Sequence, residues 1–514
     1  MSTKVQIIKR LEVIKTLIEL EDEDMIHIQI DKLKSENNSE LDEIIKILDN
    51  DDYSKINKAI DDYVFGYKNA KLTPHQQEIF DAIMKDISSI LSNYERSNTK
   101  SPNENYFSLS GSAGTGKTFL ISKLVEEFIK REYKILLTTP THKSLSVAKY
   151  MINSNNIHIN AKTLQSYLDL TLKEDYLLGT KIFKRDKTKD MSDYEKNLDI
   201  LLVDESSMVS NTLLKFIDEN LEQNKLKIVL FIGDQCQLPP VDEGQNGVVS
   251  LPKQYKLTQI VRQAKDSYIK IIANELKDCI NNKQYTSIYE IFNTSKYKEL
   301  KIFDNETEFL NDYTSSKEWY NKNYQAISYT NSQVDSQNKL IRYRYWKAHD
   351  IDAVDPIIKG DILVMNEPYN NQFRGSEKVI VDKATKEFDK YKQIYYWKCL
   401  DSLGRSFKVV DPDYLIQYNE YLTKVSNEAR AISFKEDALR RKKWRHYFAS
   451  KNEYASIKYV FASTIHKSQG STYENAYITA SSILPLIYQG EYDMAYRLLY
   501  VAVTRASKDI KILL

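Results

Sequence analysis

Residues Gly111–Thr118 read GSAGTGKT and fill every fixed position of the phosphate-loop pattern G-x-x-x-x-G-K-[ST]. Tyr106–Ser110 before it is short and largely apolar, as a buried strand would be. Phe119–Lys130 after it carries apolar residues at helical spacing. Strand, glycine-rich loop and helix in that order make a cradle in which backbone N–H groups face phosphate oxygens. Gly111, Gly114 and Gly116 let the loop curl, with Ser112, Ala113 and Thr115 completing it. Lys117 is placed to neutralise β- and γ-phosphate oxygens, and the Thr118 hydroxyl to ligate Mg²⁺. The stretch therefore predicts an α/β protein that binds a nucleoside triphosphate such as ATP.

Working outward, the 514 residues exceed what one hydrophobic core can organise, so several domains are expected. Hydrophobic residues make up 42% and charged residues 28%, a balance that fits a soluble globular protein. The formal net charge of +1 rules out a whole-surface pull on nucleic acid, so any such path must be a local basic groove. Cys236, Cys279 and Cys399 are too dispersed for a metal site or a disulfide framework, which fits a reducing compartment. No apolar stretch reaches membrane-spanning length and no signal-peptide core opens the chain. A cytoplasmic protein with no membrane partner is expected, in the host cytoplasm if the source is viral.

Residues 1–70 read as helices with polar breaks, a module that either docks on the main body or binds a protein partner. Thr73 and Pro74 then open a helix, the first as cap and the second as first helical residue. Strands are expected at Lys134–Thr138, Ile200–Val203 and Ile228–Ile232, alternating with helices as in a parallel sheet. Polar residues 171–197 interrupt that alternation. A second alternating region starts near Leu257 and includes a strand at Gln325–Ser328. Between 343 and 459 short strands at Asp361–Met365, Val379–Val381, Ile394–Cys399 and Arg405–Val410 suggest a small β-barrel, followed by helical residues 414–448. Within the latter, Arg440–Phe448 reads RRKKWRHYF, which could track single-stranded DNA but reads better as a solvated basic helix face with Trp444 and Phe448 turned inward.

Chemistry-bearing residues sit where strands end. Ile200–Val203 runs into Asp204-Glu205, a carboxylate to hold Mg²⁺ and a second to orient and deprotonate water. Ile228–Ile232 runs into Gly233-Asp234-Gln235, with Gln235 placed to sense a γ-phosphate. Arg262 and Arg505 belong to the second alternating region, and an arginine there can spread transition-state charge on a triphosphate.

The ordered set Leu72-Thr73-x-x-Gln76, GSAGTGKT, Thr139-Pro140-Thr141-His142, Val203–Ser206, Gly233–Val241, Ser463–Gly470 and Leu499–Arg505 resembles the superfamily 1 helicases of the RecD/Dda branch. Gly360–Pro368 (GDILVMNEP) adds to the likeness, which spans Leu72 to the last residue. The resemblance implies two RecA-like domains, at 71–256 and at 257–342 with 460–514. A pin domain at about 171–197 would interrupt the first, and an insertion at 343–459 with a Src-homology-3-like barrel would interrupt the second. It implies ATP and Mg²⁺ as cofactors, and single-stranded and forked duplex DNA as partners, with 5′→3′ translocation. Gln76 would contact adenine. Lys117, Thr118, Asp204, Glu205, Gln235, Arg262 and Arg505 would serve hydrolysis, and Gly470 would link nucleotide to DNA. Thr139, Thr141, His142, Thr163, Thr464, His466 and Lys467 would grip the strand. Tyr176 or Phe183 would form the pin's wedge or stacking aromatic, or pack ordinarily. Residues alone leave open a clamp that remodels without processive unwinding, and an RNA track.

Overall fold

The computed structural model describes residues 71–94, 102–112, 115–141, 144–145, 148–149, 159–186, 194–223, 225–240, 251, 253–259, 267–293, 295–316, 319–321 and 323–514. The helical module expected at 1–70 lies outside them. The described chain falls into two units.

In the first unit helix α1 (Pro74–Asn93) starts at a reciprocal cap. Thr73 Oγ1 accepts from the Gln76 N–H at 3.3 Å, and Gln76 Oε1 accepts from the Thr73 N–H at 3.1 Å. Strand β1 (Tyr106–Gly111), buried at every residue, runs through the phosphate loop into α2 (Lys117–Lys130). Then come β2 (Ile135–Thr139), β3 (Ala161–Thr163) and the short α3 (Leu164–Tyr167). A hairpin follows, β4 (Leu170–Asp175) and β5 (Thr180–Arg185). Strands β6 (Leu198–Val203), β7 (Leu226–Gly233) and β8 (Lys253–Leu257) complete a six-stranded sheet of order β3-β2-β6-β7-β1-β8. Every pairing in it is parallel. Ile83 and Ile87 of α1 and Leu124 and Phe128 of α2 share one core with Phe107 and Ile228 of the sheet. Burial of that apolar stripe, more than helix propensity, holds both helices in place.

The second unit contains α4 (Tyr268–Asn282), β9 (Lys301–Phe303), β10 (Tyr324–Ser328) and α5 (Asn331–Ala348). The chain then enters an insertion: β11 (Ile362–Met365), β12 (Lys378–Asp389), β13 (Ile394–Asp401), β14 (Ser406–Val410), α6 (Leu415–Ala431), α7 (Asp437–Asn452) and β15 (Ile457–Tyr459). It returns through β16 (Ala462–Thr464), α8 (Ile465–Ser468), β17 (Tyr473–Thr479), α9 (Tyr492–Val503) and β18 (Ala506–Leu513). The sheet order β16-β10-β17-β18-β9 is again wholly parallel. Helices α4 and α9 bury Ile272, Leu276, Leu498 and Val501 against Ile478 and Ile510 of its strands. The fold class is α/β, built on two parallel sheets.

The insertion's five strands form one antiparallel sheet, order β14-β13-β12-β11-β15. Its two ends approach each other, since the Ala455 N–H just before β15 donates to Lys408 O of β14 at 2.7 Å. Strand β12 runs far past the expected Val379–Val381, because pairing with β13 holds its outer half, which is polar and carries no apolar run. The hairpin β4–β5 leaves the chain of the first sheet, yet it packs within the second unit.

One buried ion pair fastens the insertion to α5. The Arg342 guanidinium meets both Asp361 oxygens at 2.7 and 2.8 Å, a bidentate fork closed off from water. Trp346 Nε1 and the Ile358 N–H each donate to the same carboxylate at 2.8 Å. Arg342 also lies 5.0 Å over the Tyr459 ring. Removing one partner strands the other charge in a dry site. Asp361→Ala is therefore expected to destabilise the second unit by about 3–5 kcal/mol in urea unfolding. A loss within the surface-mutation range of about 0.5 kcal/mol would contradict the clamp.

Candidate nucleotide and strand-binding sites

Parallel pairing sends every strand's exit to the same sheet edge. In the first unit that edge collects the loop after β1, Thr139 after β2, Asp204 after β6 and Asp234-Gln235 after β7. The Lys117 ammonium donates back to Gly111 O and, at 3.4 Å, to Ser112 O, so the cation lies across the mouth of the phosphate loop. Thr118 is exposed in the first turn of α2. Ser112 and Thr115 are buried, and Thr115 Oγ1 donates to Ser112 O at 2.9 Å, bracing the loop beside Gly116. Gln76 is buried and its amide donates to Thr115 O at 3.2 Å, while its carbonyl serves the α1 cap. It thus joins the start of α1 to the phosphate loop.

Dehydration raises the Asp204 carboxyl, against the Glu205 N–H and the Lys117 charge, which lower it. The Glu205 N–H donates to Asp204 Oδ1 at 2.9 Å. Glu205 itself holds φ +54, ψ +42, a left-handed backbone uncommon for a residue with a Cβ. Such strain persists where the surroundings impose it, and it often marks a working residue. Part of the imposition comes from β7. A Cβ on Gly233 would lie 2.5 Å from Ser206 Oγ, so only glycine lets the β7 exit press against the Asp204–Ser206 turn. Gln235 Nε2 is 3.5 Å from Gln254 Oε1. Lys117, Asp204 and Glu205 fit a Mg²⁺-bound triphosphate: a cation at the loop mouth, a carboxylate beside it, and a second carboxylate turned out by the backbone.

Both parallel sheets end their edge strands in the same device. After β3, Thr163 Oγ1 accepts from the Ser166 N–H at 3.2 Å and starts α3. After β16, Thr464 Oγ1 accepts from the Lys467 N–H at 3.3 Å and starts α8. One strand inward, Thr141 Oγ1 accepts from the Ser144 N–H at 3.2 Å after β2, with Thr139 Oγ1 donating to Thr141 O at 2.9 Å. After β10, Thr330 Oγ1 accepts from the Gln333 N–H at 3.3 Å. Thr330 was not picked out from sequence. Its signal was there, a Thr directly before the helix at Asn331 with Gln333 three residues on, just after an apolar strand. Such turns present hydroxyls and N–H groups able to hold phosphates without reading bases.

Burial lowers the His466 pKa, so its imidazole is neutral at neutral pH and offers hydrogen bonds rather than charge. Gly470 ends the same segment. Arg505 is buried, with Nε donating to Val501 O at 3.0 Å and Nη1 to Ser471 O at 3.2 Å, which ties it to the loop after Gly470. Gln469 Nε2, buried in that loop with no hydrogen-bond partner, is a further polar group that sequence reading passed over. Ala113, Gly114, His142 and Arg262 lie outside the described residues.

Of the two aromatics expected to form a wedge, Tyr176 is engaged at the hairpin tip. Its ring stands edge-on to Phe448 at 6.0 Å and under Arg445 at 5.1 Å. Trp444 and Phe448 turn inward as their spacing predicts, but Arg440 is buried too and donates to Leu177 O of the hairpin at 2.8 Å. Phe183 lies in mid-hairpin, in register with the exposed Leu172.

Residues 98–285 match the AAA domain family and residues 459–512 the UvrD-like helicase C-terminal domain family. The chain is 24% identical over 484 residues to the ATP-dependent DNA helicase dda of Enterobacteria phage T4, covering 85% of this chain and 98% of that one. It is 27% identical over 486 residues to protein R530 of Acanthamoeba polyphaga mimivirus, covering 79% and 94%. By sequence it is thus similar to superfamily 1 helicases. The structure of the Pif1 helicase from Bacteroides in complex with ADP-AlF3 and ssDNA aligns at a TM-score of 0.43 and 17% identity, over 86% of this chain and 92% of that one. Among the described residues no helix is long and apolar enough to cross a membrane.

The hairpin seat is tested at Gly179, which has φ +71. A Cβ there would lie 2.3 Å from the Trp444 ring. Gly179→Ala is expected to unseat β4–β5 at a cost of about 1–3 kcal/mol, read as faster tryptic cleavage at Lys181 and Lys184. Unchanged cleavage would mean the hairpin is not held by this contact.

Proposed function

We propose that the chain is an ATP-dependent DNA helicase that hydrolyses ATP with Mg²⁺ and moves 5′→3′ on single-stranded DNA, opening forked duplexes. The observation that carries this reading is the first unit's rim, where Lys117 and the Asp204–Glu205 pair, with Glu205 left-handed, stand at the exits of β1 and β6, the two parallel strands that flank β7. Lys117 would neutralise the β- and γ-phosphates. Thr118 and Asp204 would hold Mg²⁺, and Glu205 would orient and deprotonate the attacking water. The loop N–H groups of Gly111–Gly116 would cradle the phosphates, and Gln76 would meet the adenine. Gln235, Arg262 and Arg505 would read and stabilise the γ-phosphate, with Gly470 beside the strand grip. A metal held there by Thr118 and Asp204 would neutralise negative charge on the phosphate oxygens.

For the strand, Thr139, Thr141, His142 and Thr163 would form one grip and Thr464, His466 and Lys467 the other, each on its own sheet. Two grips built alike, whose tightness follows the nucleotide, make net movement in one direction when they alternate. Phe183 would stack on a base near the fork. The residues of the two units correspond to the RecA-like domains at 71–256 and at 257–342 with 460–514, and the curling antiparallel sheet to the barrel within 343–459.

Three measurements test this. Lys117→Ala is expected to abolish ATP turnover, and near-normal turnover would refute the assignment. Glu205→Gln is expected to keep ATP and DNA binding while hydrolysis falls by about 10²–10⁴-fold. Forked duplexes with a 5′ tail should be opened and those with only a 3′ tail should not. DNA-stimulated ATP turnover without strand displacement on either fork would point instead to a clamp.

A further inference from the structure

Strand β11 (Ile362–Met365), with Asp361 before it and the turn after it, brings together parts far apart in the chain. Asp361 is fastened to α5 at one end. At the other, Asn366 Oδ1 accepts from Lys467 Nζ at 2.6 Å, and Glu367 Oε2 pairs with Lys181 Nζ of the hairpin at 3.0 Å. Burial alone would raise the Glu367 carboxyl, but the Lys181 hydrogen bond and the charges of Lys181, Lys451 and Lys467 bring it below the usual carboxylate range. Lys181 of β5 thus pairs with Glu367, Lys467 of α8 bonds the neighbouring Asn366, and the charges of Lys467 and of Lys451 on α7 act on the same carboxylate. Nearby Lys458 is committed elsewhere, to Asp335 and Asn331, both at 2.9 Å. Dehydration and the neighbouring Lys458 lower the Lys467 ammonium, while Glu367 and Asp335 raise it.

We propose that Lys181, Lys451 and Lys467 form a binding site for a backbone phosphate of single-stranded DNA, and that Glu367 is its built-in placeholder, displaced when the strand arrives. The arrangement fits that role in three ways. Glu367 is 56% exposed on its side chain, so its bond to Lys181 is a surface ion pair of small net worth that a phosphate can replace. The cluster carries more positive than negative charge, as a phosphate-tracking site needs in a chain of nearly zero net charge. Lys181 and Phe183 are two residues apart in β5 and so lie on the same hairpin face, which sets a phosphate grip beside the proposed base-stacking ring. Glu367 would also keep the empty groove from holding unrelated anions.

This inference rests on the single-strand reading above, and the experiment separates the two. Binding of a short fluorescent oligothymidylate is followed by anisotropy at several salt concentrations, for the full chain and for Glu367→Gln, Glu367→Asp and Lys181→Ala, with thermal melts to check folding. Glu367→Gln is expected to bind roughly threefold tighter at low salt, the effect of removing one screened like charge. Its affinity should fall more steeply with salt, by about 0.7 in the log–log slope, because one further counterion is released. Glu367→Asp should behave as the unaltered protein, and Lys181→Ala should bind more weakly. Equal or weaker binding by Glu367→Gln would overturn the placeholder and leave Lys181–Glu367 a brace for the hairpin, with the helicase reading intact. Failure of the unaltered protein to bind the oligonucleotide would overturn both.

Discussion

A parallel sheet has a direction, and the chemistry of this chain depends on that direction. Because every strand in each of the two principal sheets runs the same way, their exits share one rim. Backbone groups that a helix or strand would otherwise satisfy are left pointing outward there. Gly111, Thr139, Asp204 and Gly233 reach the first sheet's rim from four strands that are neighbours in space but far apart in the chain. A register slip of one residue in β6 would turn Asp204 to the opposite face of the sheet. The apolar runs on β1, β6 and β7 prevent that slip by burying nearly every position.

The second sheet repeats the scheme with different cargo. Its exits carry capped turns rather than a phosphate loop, and Thr330 and Thr464 match Thr141 and Thr163 in place and in hydrogen bonding. A threonine at a helix cap does two things at once. It satisfies an orphan N–H, which stabilises the turn by about 1 kcal/mol, and it leaves neighbouring N–H groups facing outward. The insertion hangs on this sheet by Arg342–Asp361, a buried fork whose bidentate geometry fixes orientation as well as position. Through α7 it also receives the hairpin β4–β5, so an element encoded within the first sheet's chain is held by the second unit.

Local chemistry was legible where neighbours in sequence are neighbours in space. The phosphate loop, the Thr73–Pro74 helix start and the apolar strands ending in Asp204 and Gly233 each declare themselves within a dozen residues. Boundaries moved only slightly, as with β6 starting at Leu198 instead of Ile200. Strand β12 was shortened in the reading because its outer half, Asp382–Asp389, has no apolar stripe. Pairing with β13 holds it as a strand there, not burial. The basic run at Arg440 was read correctly for its aromatics and incompletely for Arg440 itself, since a buried arginine needs a partner that only packing supplies.

What the sequence determined by itself was the kind of chain: an α/β protein with a triphosphate loop, carboxylates at strand ends and a second alternating half. Those features follow from residue type and spacing along a few turns or strands. Tertiary structure decided which distant groups share a site. Lys181 and Glu367 are 186 positions apart, and Arg440 and Leu177 are 263 apart. No periodicity connects residues at such separations. Their meeting is set by how the sheets, the insertion and the hairpin pack, because burying apolar surface between elements leaves each polar side chain the partners that the packing brings within reach.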